Sequence, residues 1–514
     1  MRIKYKKIYD LISSLSKEAY KDKLLIANEF LSKNTFTSEI FEIFDLQDKV
    51  INTYLTLIMK IRLLSIYYVK ITIYFLLYLF SYLIYKSIIP SLDKKKIINE
   101  KLYLIHNYFA LNRIQKSHEY EDHYFPDLFK YISEKNEVYY TPMFYGTHRF
   151  PFLITQIVLF LKKQEKPQKV PMITEFDLLS LSDVIFALLD SYRYPAHLIK
   201  FITGRSEKII PIILLKEYLK IPKSIGVFDR YIQYRFGHRI SLLSKQQTNI
   251  LMWYENNTID KSFIRGIKDG DSKRKVNITG LQLYIYSDSE IHYYPDSAEL
   301  FANVLPDRIL VNGPMYMANI KKISCSVGPS LRYKRIFSFK TKRSDQKNYL
   351  VLLPYLNLYI EQVLELIQPL LSTTQKKIIK IKFHPATDIK RFQDKLPSDI
   401  QFANEDLYEE FKTTKLVIGM STGALLESVA LGIPAIQIFD DSKTYQHDIL
   451  IDAGKGLIWE NAKNSMELMG AIKRLEYNFI KRRNEINKCT KYYRENYFSQ
   501  PDAKKMEKID GVWL

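Results

Sequence analysis

The stretch KLVIGMSTGALLESVALGIPAIQI, Lys415 to Ile438, carries the clearest prediction of the fold. Leu416 to Ile418 form a short apolar run that predicts a buried strand. Gly419 to Gly423 predict a tight turn, and a helix begins near Ala424. A glycine and a proline then end that helix and introduce another apolar run. The stretch therefore reads strand, turn, helix and strand, which is the repeating unit of a parallel α/β sheet.

A second stretch, KIIKIKFHPATD, Lys377 to Asp388, predicts a strand that stops abruptly. Pro385 cannot continue a hydrogen-bonded ladder, so His384 is expected at the carboxyl end of the strand. Ligands bind at that end in open α/β sheets. His384 and the turn with Ser421 and Thr422 are therefore predicted at neighbouring strand ends on one edge of one sheet, where they suit a phosphate group. The alternative for the turn is an ordinary helix N-cap.

Strands and helices alternate in two blocks, which predicts two domains with doubly wound parallel sheets. The first block begins with VYYTPMFYG at Val138, and KVPMIT, Lys169 to Thr174, is predicted as its second strand. A polar, basic segment, Phe337 to Asn348, separates the blocks and is predicted as the interdomain linker. The predicted divisions are a helical, membrane-associating region at 1–130, a first Rossmann-like domain at 131–340, a second at 345–475 and a helical tail at 476–514.

The composition restricts the partners. The 514 residues carry a formal net charge of +20, which indicates acidic partners. The sequence contains no zinc finger, RNP-type aromatic motif or concentrated Arg-rich arm, so nucleic acid is not expected. A nucleotide-bearing substrate and an anionic membrane surface explain the same charge. The two cysteines, Cys325 and Cys489, are far apart in the sequence and fit a reducing, cytoplasmic location.

One stretch, Leu63 to Pro90, is hydrophobic enough to contact or cross a membrane. It has basic residues at both ends and six tyrosines between Tyr67 and Tyr85. Three interpretations are open: a helix lying in the plane of the membrane interface, a buried core helix and a spanning helix. The amino terminus lacks the apolar core of a signal peptide. Peripheral attachment to the inner face of a membrane is the expectation that follows.

The paired His-Pro strand end and Ser-Thr-Gly turn resemble the motifs of GT-B glycosyltransferases. The similar families are bacterial sialyltransferases, Kdo transferases and CDP-glycerol polymerases. The resemblance covers roughly Leu350 to Glu460 and implies two Rossmann-like domains facing a cleft. It also implies that His384, Ser421 and Thr422, with Gly423 completing the turn, bind the phosphate of a cytidine nucleotide donor. No metal and no cofactor besides the nucleotide-sugar co-substrate is expected.

An inverting transfer needs a general base to take the proton from the acceptor hydroxyl. The best candidate is Glu255 in LMWYENNTIDKSF, since it follows a predicted strand and is flanked by Trp253 and Tyr254. These rings are expected to stack on a sugar and to desolvate the carboxylate, which would raise its pKa. The alternative is that Glu255 and Asn256 cap the following helix. The acidic Asp motif of sialyltransferases has no copy here; the nearest imitation is Asp269.

Weaker site candidates are Glu427, Arg332 and His148. Glu427 follows the phosphate turn on its helix and would face the ribose or pair locally. Arg332, at the domain junction, would reach a phosphate or carboxylate, or it has only a surface role. His148, after the first strand, would meet an acidic acceptor, or it caps a helix or faces solvent. A further group, Asp440, Asp441 and His447, matches no closed metal site in its spacing.

The function predicted from these residues and the resemblance is a glycosyltransferase of bacterial cell-surface polysaccharide synthesis, such as O-antigen, lipopolysaccharide or capsule. It would transfer a sugar from a nucleotide donor, CMP-linked by the resemblance, to a glycan or lipid-linked acceptor. The alternatives are a CDP-glycerol or CDP-ribitol alditol-phosphate transferase and a non-catalytic assembly protein of the same fold. A sugar-nucleotide epimerase is disfavoured because its early Gly-rich loop and His-Arg-Glu-Asn pattern are missing.

Overall fold

The computed structural model describes most of the chain. The described residues are 3–34, 57–90, 102–110, 122–145, 152–163, 171–203, 219–243, 247–273, 275–342, 345–354, 357–372, 378–384, 387–439 and 447–510.

The first domain is built on a six-stranded parallel sheet in the order β2-β1-β3-β4-β5-β6. The chain passes from β1 to its neighbour β2 and then returns to the other side of β1 to form β3. The direction of winding therefore changes between β1 and β3, and such a switch point leaves a crevice at the carboxyl ends of the strands. The strands are β1 Leu102–Ala110, β2 Glu137–Tyr145, β3 Thr248–Trp253, β4 Val276–Gln282, β5 Arg308–Val311 and β6 Ser324–Val327.

The second domain repeats this plan with the order β12-β11-β10-β7-β8-β9, again entirely parallel. Here the switch point lies between β7 and β10. Two such domains with strand ends towards a common cleft form the GT-B arrangement, as predicted. The strands are β7 Asn348–Leu352, β8 Ile379–Lys382, β9 Gln401–Phe402, β10 Thr414–Gly419, β11 Ala435–Ile438 and β12 Trp459–Ala462.

Helices cover the sheets. The first domain has α1 Ile3–Ala19, α2 Leu57–Ile88, α3 Leu128–Ser133, α4 Phe152–Lys163, α5 Glu175–Leu178, α6 Leu181–Thr203, α7 Val227–Leu243, α8 Thr258–Gly270, α9 Ser297–Phe301, α10 Pro314–Met317 and α11 Arg335–Ser338. The second has α12 Asn357–Leu371, α13 Leu407–Thr413, α14 Ala424–Ala430 and α15 Ser465–Lys481, and α16 Arg483–Tyr497 and α17 Ala503–Asp510 follow. The described part of the predicted tail region contains helices, namely the end of α15, then α16 and α17.

The prediction that residues 1–130 are helical throughout is wrong at Leu102–Ala110, which forms the interior strand β1. This strand is buried on both faces, so its sequence shows no polar-apolar alternation. It also contains His106 and Asn107, both fully buried. His106 Nδ1 lies 3.0 Å from Thr141 O, and Asn107 Nδ2 donates to Asp122 Oδ1 at 3.0 Å. These partners make two polar residues acceptable inside a sheet.

The N-terminal segment belongs to the core of the first domain rather than to a separate region. Lys33, fully buried, pairs with Asp296 at 2.9 Å and Glu299 at 3.1 Å. The predicted strand at Lys169 to Thr174 is also wrong: its described part makes only an isolated bridge from Met172 to Tyr140. Pro171 lacks the N–H that a continuing ladder would need.

The C-terminal segment returns to the first domain. Asn312 Nδ2 donates to Tyr497 O at 3.0 Å, and Ser330 N donates to Ser499 O at 2.8 Å. Farther along, Arg308 donates to Ile509 O at 3.2 Å. The two domains are therefore joined by two crossings of the chain, one near the predicted linker and one near Tyr497.

Candidate functional site

The strand ends at both switch points carry candidate site residues. Glu255 follows β3, and the turn Ser421 to Gly423 follows β10. The two segments come from different domains, and the turn approaches the first domain: a Cβ on Gly423 would lie 3.2 Å from Ile285, which follows β4. The structure therefore brings together the predicted turn and the first domain's edge.

Glu255 is held in place by neighbouring donors. Trp253 Nε1 donates to Glu255 Oε1 at 2.8 Å, and Asn257 Nδ2 donates to Oε2 at 3.3 Å. Burial raises the pKa of Glu255, while the bonds from Trp253 and Asn257 lower it; the net shift is upward. The predicted direction of the pKa shift is therefore the one observed.

The capping alternative for Glu255 and Asn256 does not describe this helix. Asn257 is the N-cap of α8 and accepts from Ile259 N at 2.9 Å, with Asp260 completing the capping box. Glu255 contributes only its backbone N–H, which donates to Asp260 Oδ2 at 2.8 Å. Its carboxylate is left to the hydrogen bonds from Trp253 and Asn257.

The prediction that Trp253 and Tyr254 stack on a sugar is wrong, because both rings are buried. Trp253 stacks instead on Tyr284, with ring centroids 4.6 Å apart. Tyr254 donates to Asn256 Oδ1 at 2.8 Å. The rings form the wall behind Glu255, so they desolvate the carboxylate without contacting a ligand.

The turn after β10 presents groups suited to an anion. Ser421 has a left-handed backbone, with φ of 49°. Among the described residues, the backbone N–H groups of Thr422 and Gly423 have no hydrogen-bond partner. Thr422 Oγ1 accepts weakly from Ala424 N at 3.4 Å. Helix α14 has only seven residues, so these local N–H and hydroxyl groups matter more than its dipole.

Glu427 and Arg332 connect the two sides of the site. Tyr408 Oη donates to Glu427 Oε2 at 2.6 Å. Of the two predicted alternatives for Glu427, contact with a ribose or pairing with a nearby side chain, the structure therefore favours the second. Burial raises the pKa of Glu427 to about 7. The exposed Arg332 guanidinium lowers the pKa of both Glu427 and Glu255, so its charge acts on a carboxylate of each domain. It also lies 5.8 Å from the centre of the Tyr124 ring.

His447 also lies at the site. In the sequence it stood out only together with Asp440 and Asp441, a group whose spacing matches no metal site. Its backbone N–H donates to Ser421 Oγ at 3.3 Å. Its Nδ1 lies 3.4 Å from Glu290 Oε2 and 3.4 Å from the hydroxyl oxygens of Ser287 and Ser289. Burial lowers the pKa of His447 and Glu290 raises it, with a net upward shift. No sequence spacing connects His447 with Glu290, 157 positions earlier, since the contact arises only when the domains meet.

His384 is placed less favourably than predicted. It is exposed beyond the end of β8, on the same sheet edge as Ser421. However, β7 lies between β8 and β10, so the two strand ends are not neighbours. Two strand spacings correspond to roughly 10 Å, which is more than one phosphate group spans. The prediction that His384 and Ser421 lie on neighbouring strand ends is therefore wrong. The role of His384 in donor binding stays a prediction.

Other candidates lie elsewhere. Asp269 belongs to a surface network with Lys23 at 2.8 Å and Arg265 at 2.9 Å. His148, Asp440 and Asp441 lie outside the described residues. Within the described ranges, no group of three or more His, Cys, Asp or Glu residues is placed to hold a metal ion. A cavity of about 1080 Å³ beside the second interdomain crossing shares no lining residue with the site.

Comparisons with known proteins find distant structural similarity. No protein-family profile matches the chain, and no curated protein matches it. Among solved structures, UDP-GlcNAc 2-epimerase from Methanocaldococcus jannaschii is 13% identical, with a TM-score of 0.42 over 80% of this chain and 99% of that one. Anabaena HepE in complex with UDP-glucose is 9% identical, with a TM-score of 0.40 over 80% and 98% of the two chains. A glycosyltransferase of kitacinnamycin is 10% identical, with a TM-score of 0.37 over 80% and 99%. The fold assignment rests on the two sheets themselves.

Proposed function

We propose that the protein is a nucleotide-sugar-dependent glycosyltransferase. The observation that carries the proposal is that both sheets have their switch point at the same cluster, with Glu255 on one side and the Ser421 to Gly423 turn on the other. One edge supplies a desolvated carboxylate and the other supplies free N–H groups, which are the two things that a transfer from a nucleotide sugar needs.

In this proposal Glu255 takes the proton from the acceptor hydroxyl. A raised pKa makes the carboxylate a better base near neutral pH, and the bonds from Trp253 and Asn257 fix its orientation. The donor phosphate binds at Ser421, Thr422 and Gly423, with His384 reaching a more distant part of the donor. Arg332 offsets negative charge as the nucleotide leaves.

The donor that we propose is CMP-linked, and the acceptor is a glycan or lipid-linked glycan of a bacterial cell surface. The resemblance in the His-Pro and Ser-Thr-Gly motifs supports this choice. The test is thermal unfolding with CMP, CDP, UDP and ADP, since a ligand that binds the native state raises the unfolding temperature. A larger increase with CMP than with UDP is expected. An increase only with UDP would refute the cytidine donor, and none with any nucleotide would favour the non-catalytic assembly protein.

Product analysis separates the enzymatic alternatives. A glycosyltransferase with a CMP-linked donor releases CMP and makes a glycosidic bond. An alditol-phosphate transferase makes a phosphodiester, and an epimerase returns an isomerised nucleotide sugar without any acceptor. We expect the glycosidic product, with no loss of rate on addition of EDTA because the proposed steps use only protein groups.

We further propose that the protein is cytoplasmic and lies on the inner face of a membrane through helix α2. By length and composition, one helix of the described chain, Ile61–Ile88, could cross a membrane; its most apolar part is 22% buried. One face of α2 is tied to the first domain: Tyr78 donates to Glu175 at 2.9 Å, Tyr85 to Asp177 at 2.9 Å and Tyr74 to Asp229 at 3.0 Å. A helix held by three carboxylates favours lying in the interface over spanning.

The opposite face of α2 is an exposed apolar stripe with alternating spacings of three and four residues. Its members are Ile66, Val69, Ile73, Leu76, Phe80 and Leu83. Helix α6 beside it also exposes apolar side chains, including Ile185 and Leu189. Exposed apolar area of this kind on a chain of charge +20 suits an anionic lipid surface.

The membrane proposal is tested by flotation with vesicles containing anionic phospholipid. The variant Ile73→Ser with Leu76→Ser and Phe80→Ser should lose vesicle binding. The matched control, Met466→Ser with Ile480→Ser, removes exposed apolar residues of the second domain and should bind as wild type does. Equal binding by the two variants would refute the assignment to α2.

A further inference from the structure

A second cavity lies in the first domain, between α2, the carboxyl-end halves of β1 and β2, and α7. Its volume is about 230 Å³. It shares no lining residue with the cluster around Glu255 and Ser421. The lining residues are Tyr74, Tyr108, Pro142, Met143, Phe144, Ile157, Glu175, Phe176, Asp229, Ile232, Gln233 and Ile259. We call it the α2 cavity.

Two carboxylates line the α2 cavity without a cation. Among the described lining residues none is Lys, Arg or His. Glu175 accepts from Tyr78 Oη at 2.9 Å and from Gln233 Nε2 at 2.7 Å. Asp229 accepts from Tyr74 Oη at 3.0 and 3.1 Å. These hydroxyl and amide donors are all neutral, so within the described part of the chain the negative charges receive hydrogen bonds but no opposite charge.

The cost of this arrangement is visible in the protonation of the two groups. Burial raises the pKa of Glu175 to about 7, and the neighbouring charge of Asp229 contributes to the shift. Burial likewise raises the pKa of Asp229 to about 7. By contrast, the buried Asp183 is paired with Arg235 and Arg239. Among the described residues, the two acids of the α2 cavity have no such ion pair, although the chain has 76 Lys and Arg and only 56 Asp and Glu.

We propose that the α2 cavity binds a protonated primary amine carried by a sugar-sized ligand, with the ammonium group between Glu175 and Asp229. An ammonium has three N–H donors. Two acceptors are the carboxylates. The third is the amide oxygen of Gln233, a residue only 8% exposed, and this oxygen is buried without a hydrogen-bond partner. Four aromatic rings, those of Tyr74, Tyr108, Phe144 and Phe176, line the rest, and such rings attract cations and stack on sugars.

The observations favour an amine over the other cationic or polar ligands. A divalent metal ion needs about six oxygen ligands in a regular geometry, which is more than the two carboxylates and the Gln233 amide oxygen provide. A neutral polyol would satisfy hydrogen bonds but would leave both charges unbalanced. A cavity of about 230 Å³ accommodates a single hexosamine rather than a bare ion.

The α2 cavity adjoins the site of Glu255 but does not depend on it. Tyr108 lines the cavity, and its hydroxyl accepts from Asn257 Nδ2 at 3.2 Å. Asn257 in turn donates to Glu255. Two residues, Tyr108 and Asn257, would therefore separate an amino sugar in the cavity from the proposed base. The inference concerns binding alone, so it stands or falls separately from the transferase proposal.

The test is binding of glucosamine, glucose and N-acetylglucosamine to the full chain, measured by isothermal titration calorimetry at neutral pH. We expect glucosamine to bind and the two sugars without a charged amine to bind at least tenfold more weakly. The variants Glu175→Gln and Asp229→Asn keep the shape of the side chain and remove its charge, so each should weaken glucosamine binding at least tenfold. Thermal unfolding of each variant verifies that it is folded.

The matched control is Asp190→Asn on α6, a carboxylate that has its own cation in Arg193 at 3.4 Å. It should bind glucosamine as wild type does. Equal binding of glucose and glucosamine would overturn the charge argument. No binding of glucosamine by the wild type, or binding unaffected by both cavity variants, would overturn the site. Competition by Mg²⁺ or Ca²⁺ at similar concentration would indicate a metal site instead.

Discussion

The carboxyl edges of the two sheets differ in how firmly the protein alone holds their candidate site residues in place. The first-domain edge is fixed: Glu255 receives two side-chain hydrogen bonds and backs onto buried aromatic rings. The second-domain edge is open: the Ser421 to Gly423 turn is half-buried, and His384 is exposed. Preorganised groups act on charge that develops during reaction, whereas open donors are available for binding. This difference agrees with the proposal that the first edge serves chemistry and the second serves donor binding.

The largest effect should come from Glu255→Gln, which tests the fixed edge. Turnover is expected to fall by about 10² or more because a general base is lost, while donor affinity stays nearly unchanged. Steady-state kinetics with calorimetric donor binding measures both. Asp269→Asn, which alters only a surface acid, should retain wild-type turnover. If Glu255→Gln also lost donor affinity, the proposal that one edge acts in chemistry and the other in donor binding would be contradicted.

His384→Ala tests the open edge. A charge-assisted hydrogen bond from His384 to the donor would contribute about 1.5–3 kcal/mol, so donor affinity should fall roughly 10- to 150-fold. The matched control is His123→Ala, an exposed histidine of the first domain. Wild-type donor affinity in His384→Ala would mean that the His-Pro sequence only ends a strand, and donor binding would then depend on the turn alone.

Glu427→Gln probes the carboxylate between the two edges through pH. The pKa of Glu427 is raised from 4.5 to about 7, so the folded state holds a proton in this range that the unfolded state has released. The free energy of unfolding should therefore decrease as pH rises from about 4.5 to 7, by about 1–3 kcal/mol for this group. The variant should lack that part of the decrease.

The measurement is urea unfolding at several pH values, compared between wild type and Glu427→Gln. Glu175 and Asp229 shift in the same direction but are present in both proteins, so they cancel in the difference. A difference that does not change with pH would show that Glu427 is not titrating in this range.

Gly423→Ala should have the smallest effect. Its Cβ would lie 3.2–3.4 Å from three carbon atoms of Ile285, a side chain that can shift by a few tenths of an ångström. We expect a loss of about 1 kcal/mol in the free energy of unfolding and a several-fold change in donor affinity. Ile285→Val removes Cδ1, one of the three contacted atoms, so the double variant should recover in part. If the double variant recovers neither stability nor donor affinity, the effect of Gly423→Ala arises within the Ser421 to Gly423 turn and not from contact with Ile285.

The sequence predicted the repeating units well where strands end in recognisable turns. β8, β10 and the turn into α14 lie where the patterns indicated, because proline and glycine mark their ends. It failed at β1, where a strand buried on both faces includes His106 and Asn107. The order of the strands could not be predicted from the sequence either. β7 lies between the strands that carry His384 and Ser421, and this order depends on crossover connections that no local pattern encodes.

The site was predicted in part for the same reason. Glu255 and the Ser421 turn follow strands, so their position at a sheet edge could be inferred. The roles of Trp253, Tyr408 and His447 could not, since each depends on what packs against it from a distant segment. Trp253 looked like a sugar platform in the sequence, but Tyr284 covers its ring.

The return of the chain to the first domain has a consequence for biosynthesis. Residues near Tyr497 and Ile509 complete the outer layer of a domain whose first strand is Leu102–Ala110. On the ribosome, the first domain must wait for the entire second domain to be translated before Arg308 can reach the backbone carbonyl of Ile509. Until then the flank of β5 and β6 is uncovered, and the nascent chain must be kept from pairing wrongly there. The second domain, made from one continuous stretch, carries no such delay and is free to fold first.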